Sequence, residues 1–169
     1  MYLTQPSLSY KNEYLAAYTE QDIVDKQFYF PLPEGGESFE SFTARQIDQS
    51  YGRQLPANYV PSTELWLIDN KELIGRTNIR HVLNDWLLEI GGHIGYWIRP
   101  SKRNQGYGTQ ILKLALDEAK KLGIDRVLVT CDEDNEGSRK IIEANGGVLE
   151  NIVPNGPDNP MKRRYWISQ

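Results

Sequence analysis

The amino-acid sequence predicts a mixed α/β domain. Two segments with helical spacing occupy the first third, three strand-like segments with short turns follow, and helix and strand patterns then alternate to the end. Consecutive strands joined by short turns favour an antiparallel meander, and interleaved helices favour layers of helix on sheet. The 169 residues suit one domain, with a helical region over 1–62, a meander and its following helices over 63–146, and a terminal hairpin over 147–169.

The first region is the hardest to interpret. Apolar residues at helical spacing predict one helix in "LSYKNEYLAAYTEQ" and another in "SFESFTARQIDQSYG", which Gly52 ends. Between them, the prolines and glycines of "FYFPLPEGGESF" interrupt regular structure. The aromatic residues Phe28, Tyr29 and Phe30 at the start of that segment belong either to the core or to the wall of a binding pocket.

Three strands are predicted between positions 63 and 100. "TELWLID" and "ELIGRTNIRHVL" flank the turn residues "NK", and "WLLEIGGHIGYWIRP" follows the turn residues Asn84 and Asp85. Pro100 closes the third strand, because proline has no backbone N–H for a ladder.

The last third alternates helix and strand patterns. "TQILKLALDEAKKLG" carries an apolar helical face and stops at Gly123, and "RVLVTC" is a short apolar run typical of a buried strand. "NEGSRKIIEANGG" predicts a second helix with Asn135 as its N-cap. "VLENIV" and "KRRYWIS" flank a proline-rich loop and are predicted to form a hairpin.

Composition and charge argue against several classes of function. A net charge of −4 and a pI near 5.3 disfavour a surface for nucleic-acid phosphates. The single cysteine, Cys131, excludes an intrachain disulfide, and with His81 and His93 it forms no zinc-ligand spacing, so no metal site is expected. No segment has the length and apolarity of a signal peptide or a membrane span. We therefore expect a cytoplasmic protein with neither a nucleic-acid nor a membrane partner.

The segment "RPSKRNQGYGTQ" carries the strongest chemical signal. Arg103, Gly106 and Gly108 fit the pattern R/Q-x-x-G-x-G/A at a strand-to-helix junction, where unpaired backbone N–H groups and the helix dipole favour an anion. Glycine lets a phosphate approach the backbone, and arginine adds a forked donor. The Walker A pattern is absent, and a dinucleotide fingerprint would need glycine where Ile111 stands. The alternative is a glycine-rich turn with solvated basic side chains.

Together with "NEGSRKIIEANGG" downstream, this segment resembles the GCN5-related N-acetyltransferase superfamily, over about 63–169 and most sharply over 93–146. The resemblance implies a largely antiparallel central sheet whose fourth and fifth strands splay apart, with helices on both faces. In the family, acetyl-CoA enters that gap, with its pyrophosphate on the loop amides. Here the backbone N–H of Ile98 would donate to the acetyl carbonyl. The implied acetyl-CoA-binding residues are Trp97, Ile98, Arg103, Asn104, Gln105, Gly106, Tyr107, Gly108, Thr109, Asn135 and Ser138.

The resemblance also implies direct attack of an amine on the thioester, which needs a base for the amine. His93 lies near the position where family members often place a polar base, and the ordinary histidine pKa of about 6.5 suits proton removal. A structurally packed histidine is the alternative. Glu89 is the second candidate base. The alternative interpretation of Glu89 is a solvated carboxylate on a strand.

The acid that protonates the leaving thiolate is a departure from the family. Many members carry a tyrosine at the position of Ile142. Ser138 is therefore the candidate acid, and Tyr107 and Tyr165 are further hydroxyls. A thiol pKa of about 8.5 also allows the thiolate to leave unassisted.

These observations predict an acetyl-CoA-dependent N-acetyltransferase that acts on a primary amine of a small molecule or a protein. The alternative is a non-catalytic acyl-CoA-binding sensor or regulatory module, because the usual tyrosine is absent. Family members often form dimers, so the resemblance allows a homodimer as well as a monomer.

Overall fold

The protein is described by a computed structural model that covers residues 1–24 and 30–169. The strands are β1 (Tyr2–Thr4), β2 (Ser62–Asp69), β3 (Glu72–Arg80), β4 (Ile94–Ile98), β5 (Arg126–Asp132), β6 (Val148–Val153) and β7 (Lys162–Ser168). The helices are α1 (Lys11–Val24), α2 (Phe39–Ser50), α3 (Tyr107–Lys121) and α4 (Glu136–Ala144). The mixed α/β prediction is confirmed. Within the described residues, no helix combines the length and apolarity needed to cross a membrane.

In the described residues the strands form two antiparallel sheets. One has the order β1-β2-β3-β4 and the other has the order β5-β7-β6. The predicted meander, β2-β3-β4, and the predicted hairpin, β6-β7, are therefore confirmed. β1 was not predicted, because a three-residue strand is too short to show a periodic pattern.

The third predicted strand is only partly a strand. β4 begins at Ile94, and Leu87–Gly91 forms a π-helical turn instead. The Asn84 side chain accepts a hydrogen bond from the Leu87 N–H at 2.9 Å and so starts a helical turn. The apolar residues of "WLLEI" are compatible with either a strand or a helical turn. The strand prediction for Glu89 was wrong, since this residue lies exposed in the turn.

Helices cover both faces of the β1–β4 sheet. On one face α1 and α2 pack over an aromatic core, in which the Tyr14 and Trp66 rings stack with centroids 4.5 Å apart. Phe30 belongs to this core, whereas Phe28 and Tyr29 lie outside the described residues. On the other face α3 shares an aliphatic core with the second sheet. Its members include Leu65, Ile79, Ile94, Leu112, Val127, Val129 and Ile142.

The two sheets meet at one end and separate at the other. The His93 N–H donates to the Leu128 carbonyl oxygen at 2.7 Å, and the Thr130 hydroxyl donates to the Ile90 carbonyl oxygen at 2.6 Å. Gly92 permits this approach, because its φ is +66° and a Cβ there would lie 2.7 Å from the Leu128 oxygen. Beyond this junction no ladder joins β4 to β5 in the part of the chain described, which confirms the splayed strands.

Candidate functional site

The glycine-rich segment forms the N-terminal end of α3. After β4 the chain makes one 3₁₀ turn, Pro100–Lys102, and then Asn104 and Gly106 take left-handed conformations with φ of +60° and +83°. α3 begins at Tyr107, slightly earlier than predicted. No side chain caps this end of the helix, and its first turn carries no acidic residue. The backbone N–H groups of this turn are therefore available to an anion.

The two glycines of the segment have different structural roles. A Cβ on Gly106 would meet nothing within 4 Å, so this face of the loop is open. A Cβ on Gly108 would lie 2.4 Å from Cδ1 of Ile141, on α4. The expectation that both glycines keep the backbone clear for a phosphate is therefore corrected. Gly106 leaves open space, whereas Gly108 allows α3 to pack closely on α4.

Acidic side chains hold the basic ones that precede the loop. Lys102 Nζ donates to Glu72 Oε2 at 2.5 Å, and this hydrogen bond raises the pKa of Lys102. Arg99 Nε donates to Glu20 Oε1 at 2.8 Å, and the Ser101 N–H donates to the other oxygen of that carboxylate at 2.9 Å. Glu20 belongs to α1, so this helix fixes the turn before the loop.

The side chains of Arg103, Gln105 and Tyr107 point back onto the protein. Their hydrogen-bond acceptors are, in that order, Ile98 O at 3.1 Å, Ser101 O at 3.0 Å and Asp69 Oδ2 at 3.0 Å. The surface that the loop offers to an anion is therefore formed by its backbone.

The edge of β4 that faces β5 carries unpaired backbone groups. The Arg99 N–H donates to the Ile74 carbonyl oxygen at 2.9 Å, which fixes the phase of hydrogen bonding between β3 and β4. Successive residues of a strand point their N–H and C=O groups to opposite sides. Trp97 lies two residues before Arg99, so its backbone groups also point toward β3. The N–H and C=O groups of Tyr96 and Ile98 therefore point away from β3, toward the open gap. The Ile98 carbonyl oxygen already accepts the Arg103 Nε–H, which leaves both groups of Tyr96 and the Ile98 N–H for an amide-rich ligand.

A cavity of about 700 Å³ lies beneath α2 and extends into the gap between β4 and β5. Its lining comes from both faces of the sheet. Arg80 and Gly95 face the α2 side, whereas Tyr96 and Ser138 lie on the side of α3 and α4. The cavity therefore passes through the sheet where the strands separate. Other lining residues include Gln46, Tyr59, Glu64, Arg76, Asn78 and Thr130.

Charged side chains form the floor of this cavity on the α2 side. Arg76 and Glu64 make a bidentate pair with N–O distances of 2.6 and 2.8 Å, and their side chains are only 12% and 4% exposed. Asn78 Nδ2 donates to the same carboxylate at 3.3 Å. Arg80 follows on the same face of β3 and donates to backbone carbonyl oxygens at the end of the π-helical turn.

His93 is buried at the junction of the two sheets. It is 8% exposed, and its Nδ1 accepts a hydrogen bond from the Leu128 N–H at 2.9 Å. Burial, with a smaller effect from the charge of Arg80, lowers the pKa of His93 to about 4, so its ring is neutral near pH 7. Among the described residues, His93 is not part of the cavity lining. Its role as the general base stays a prediction, and the geometry favours a structural role.

The other two predicted catalytic residues lie in different places. Glu89 is exposed and outside the described cavity lining, whereas Ser138 lines the cavity. The Tyr96 hydroxyl, which is not among the predicted catalytic groups, lies 3.5 Å from the Ser138 carbonyl oxygen. Burial raises the pKa of Tyr96 to about 12. Ile142, in place of the family tyrosine, is fully buried in the core.

Asn135 is the N-cap of α4, as predicted. Its Oδ1 accepts the Ser138 N–H at 2.9 Å and so fixes the first turn of α4 beside the cavity. The two further tyrosines considered as acids are engaged elsewhere. The Tyr165 hydroxyl lies 3.3 Å from Glu143 Oε1, and the Tyr107 hydroxyl donates to Asp69.

A neutral, buried His93 predicts a pH-dependent stability. Histidine titrates near 6.5 in an unfolded chain, whereas the pKa of folded His93 is about 4. Between these values the unfolded state binds a proton that the folded state does not, so stability falls as the pH falls through this window. From pH 7 to pH 5 this effect should be about 2 kcal/mol.

The matched variant is His93→Asn, whose Oδ1 can accept the Leu128 N–H without titrating. Urea denaturation at both pH values should show the variant losing about 2 kcal/mol less than the wild type on acidification. Equal losses in the two proteins would contradict the buried, neutral state. A changed pH–rate profile in this variant would support the general-base role instead.

The charged floor of the cavity was not predicted from the sequence. Arg76, Asn78 and Arg80 alternate with other residues along β3, which is the usual pattern of a strand with one face in water. In the structure that face lies beneath α2, and the strand register places Glu64 opposite Asn78. Opposite charges on neighbouring predicted strands were the available signal.

The acetyltransferase (GNAT) domain family matches the chain over residues 1–148. The chain therefore belongs to the GNAT acetyltransferase family, and the resemblance of the sequence to this superfamily is confirmed.

Solved structures share the fold over nearly the whole chain. The microcin C7 self-immunity acetyltransferase MccE, in complex with acetyl-CoA and AMP, has 18% identity and a TM-score of 0.70, covering 99% of this chain and 91% of that chain. An acetyltransferase from Salmonella typhimurium that modifies the N-terminal serine of ribosomal protein L7/L12 has 18% identity and a TM-score of 0.67, covering 99% and 94%. At these identities the likeness establishes the fold. No curated protein matches the chain significantly.

Proposed function

We propose that the protein transfers the acetyl group of acetyl-CoA to a primary amine of a small molecule or a protein. The observation that carries this proposal is the cavity that crosses the sheet. It connects the open edge of β4 and the first turn of α4 with a polar chamber beneath α2. Membership in the GNAT family supports the activity. Structural neighbours that acetylate a ribosomal protein or confer microcin immunity support both classes of acceptor.

Acetyl-CoA fits the backbone groups on the α3 side of the sheet. Its pyrophosphate binds to the N–H groups of residues 105–109 at the uncapped end of α3. Its pantetheine arm carries amides, which pair with the outward backbone groups of Tyr96. The Ile98 N–H then donates to the acetyl carbonyl oxygen.

The reaction requires no covalent enzyme intermediate. The neutral amine nitrogen attacks the thioester carbonyl carbon, a C–N bond forms, and the C–S bond breaks as the tetrahedral intermediate collapses to amide and thiolate. The nitrogen loses one proton and the sulfur gains one. The protein contributes by holding the two reactants together and by directing backbone N–H groups at the developing oxyanion.

Tyr96 is suited to stabilise the leaving sulfur. Its hydroxyl lies beside the first turn of α4, on the side of the sheet assigned to acetyl-CoA. Because burial raises the pKa of Tyr96 to about 12, the phenol stays protonated and can donate a hydrogen bond to the sulfur as negative charge develops. Full proton transfer is not needed, since a thiol has a pKa of about 8.5 and the thiolate can take its proton from water.

Replacement of Tyr96 by phenylalanine should lower kcat by about 10- to 100-fold, the range expected for the loss of one hydrogen bond made in the transition state. The affinity for acetyl-CoA should change little, because the backbone contacts of the strand remain. The measurement is steady-state release of CoA thiol. Tyr165→Phe is the matched control, since Tyr165 is buried and its hydroxyl faces Glu143 rather than the cavity. Equal rates in the wild type and Tyr96→Phe would remove Tyr96 from the mechanism.

The proposed function is tested in two stages. Acetyl-CoA binding is measured first by calorimetric titration, and thiol release is then measured with a broad panel of primary amines. Binding followed by amine-dependent release supports the enzyme. Binding without release from any amine favours the non-catalytic sensor, for which the buried Ile142 is the supporting feature. Absence of acetyl-CoA binding would overturn both.

A further inference from the structure

Among the described residues, no acidic side chain forms a salt bridge with Arg80. Its Nη1 donates to the carbonyl oxygens of Gly91 and Gly92 at 3.1 and 3.2 Å. These neutral acceptors hold the guanidinium in place without balancing its charge. Burial, followed by the positive charge of Arg76, lowers the pKa of Arg80, and the negative charge of Glu64 opposes this to a smaller degree. The guanidinium therefore lies in an environment that favours an added anion.

The remaining charges of the cavity have partners or face water. Arg76 is paired with Glu64, as described above. Arg45 donates from Nε and Nη2 to the two oxygens of Glu37 at 3.0 and 2.8 Å. Glu34, a further carboxylate of the lining, is exposed to solvent. Among the described residues that line the cavity, Arg80 is thus the one cation without a salt bridge.

The position of this cation suits contact with the acceptor. A Cβ built on Gly95 would lie 3.7 Å from both Nη1 and Nη2 of Arg80, so the guanidinium lies over β4 at this glycine. Gly95 immediately precedes Tyr96, whose backbone faces the gap. Nε and Nη2 of Arg80 make no hydrogen bond with any described residue, so these two donors remain available to a ligand.

An independent feature of the same cavity is an unpaired acceptor. Gln46 of α2 lines the cavity and is 6% exposed, and its Oε1 has no hydrogen-bond donor among the described residues. Buried amide oxygens normally accept a hydrogen bond. A ligand with an N–H group would satisfy this oxygen, and a ligand with an anionic group would satisfy Arg80.

We infer that the acceptor is a small primary amine that also carries a carboxylate or phosphate group, and that Arg80 binds this anionic group. The inference rests on the proposed function, since it specifies the acceptor of the same cavity. A volume of about 700 Å³ is within the usual range of small-molecule sites. Carboxylate and phosphate share the forked geometry that a guanidinium recognises, so both belong to the same chemical class here.

The test compares amines that differ only in the anionic group. The probes are 4-aminobutyrate with 4-aminobutyramide, and phosphoethanolamine with ethanolamine. Binding to the CoA-loaded protein is measured by calorimetry, and thiol release from acetyl-CoA is measured separately. At least one anionic probe should bind and react at least tenfold better than its neutral partner, and comparison of the two pairs identifies carboxylate or phosphate.

The variant Arg80→Gln should lower the affinity and kcat/KM for that anionic probe by roughly 10- to 100-fold and leave acetyl-CoA affinity unchanged. Arg80→Lys keeps the charge and should recover part of the loss, which also covers the case in which the glutamine variant fails to fold. Arg53→Gln is the control, because the Arg53 side chain is 68% exposed and pairs with Asp48.

Three results would overturn the inference and leave the proposed function intact: equal use of neutral and anionic amines, unchanged selectivity in both Arg80 variants, or acetylation of a hexapeptide with no binding of either anionic probe. Loss of acetyl-CoA binding or of all amine-dependent release in the wild type would instead contradict the proposed function itself.

Discussion

Replacing Gly106 with alanine should weaken acetyl-CoA binding by about 10- to 100-fold while the protein remains folded. Gly106 has a φ of +83° and open space where a Cβ would lie, at the uncapped end of α3. A methyl group there occupies the surface that the pyrophosphate must approach and strains the turn that orients the N–H groups. The measurement is calorimetric titration of acetyl-CoA into wild type and variant.

The opposite end of the same helix provides a matched control. Gly123 has a φ of +78°, and a Cβ on it would also meet nothing within 4 Å. Alanine at either position therefore adds a similar backbone strain, about 1 kcal/mol. Gly123→Ala should reduce stability to the same degree as Gly106→Ala and leave acetyl-CoA affinity unchanged. Equal affinities for acetyl-CoA in the two variants would contradict the pyrophosphate assignment.

Replacing Arg76 with methionine should lower the free energy of unfolding by about 3 kcal/mol. The guanidinium is the bidentate partner of Glu64, whose side chain is 4% exposed. Methionine fills a similar volume but leaves this carboxylate buried and without its cation. Urea denaturation at pH 7 measures the effect.

The double variant Glu64→Leu with Arg76→Met separates two contributions to the lost stability: the unpaired buried charge and the lost packing. It removes both members of the pair, so no uncompensated charge remains, and at least half of the lost stability should return. A double variant that is less stable than Arg76→Met would contradict the explanation. A single variant as stable as the wild type would show that the pair contributes nothing.

Much of the fold could be predicted because its signals are local. The hairpin β6-β7, the helix stop at Gly123 and the N-cap Asn135 each depend on residues close together in the sequence. The π-helical turn could not be predicted, because "WLLEI" has the apolar content of a strand and the deciding contact is made by the Asn84 side chain. The short strand β1 is defined by its pairing with β2.

The candidate site divides in the same way. The loop before α3 was predictable, since Arg103, Gly106 and the helix start lie within a few residues. The cavity floor was not predictable, because a polar residue such as Arg80 on one face of a strand gives the same sequence pattern whether that face is covered by water or by a helix. The environment of His93 was also not predictable, since its hydrogen bond to Leu128 joins two sheets that are distant in sequence.

The cavity through the sheet has a kinetic consequence. In the proposed arrangement each substrate occupies its own side of the sheet, so neither has to leave before the other can enter. In that arrangement catalysis would proceed through a ternary complex, with no acetyl group held covalently by the protein. The single cysteine is consistent with this order of events, because Cys131 is buried and burial raises the pKa of its thiol to about 11. The sheet would thereby separate the proposed donor from the proposed acceptor everywhere except at the opening between β4 and β5.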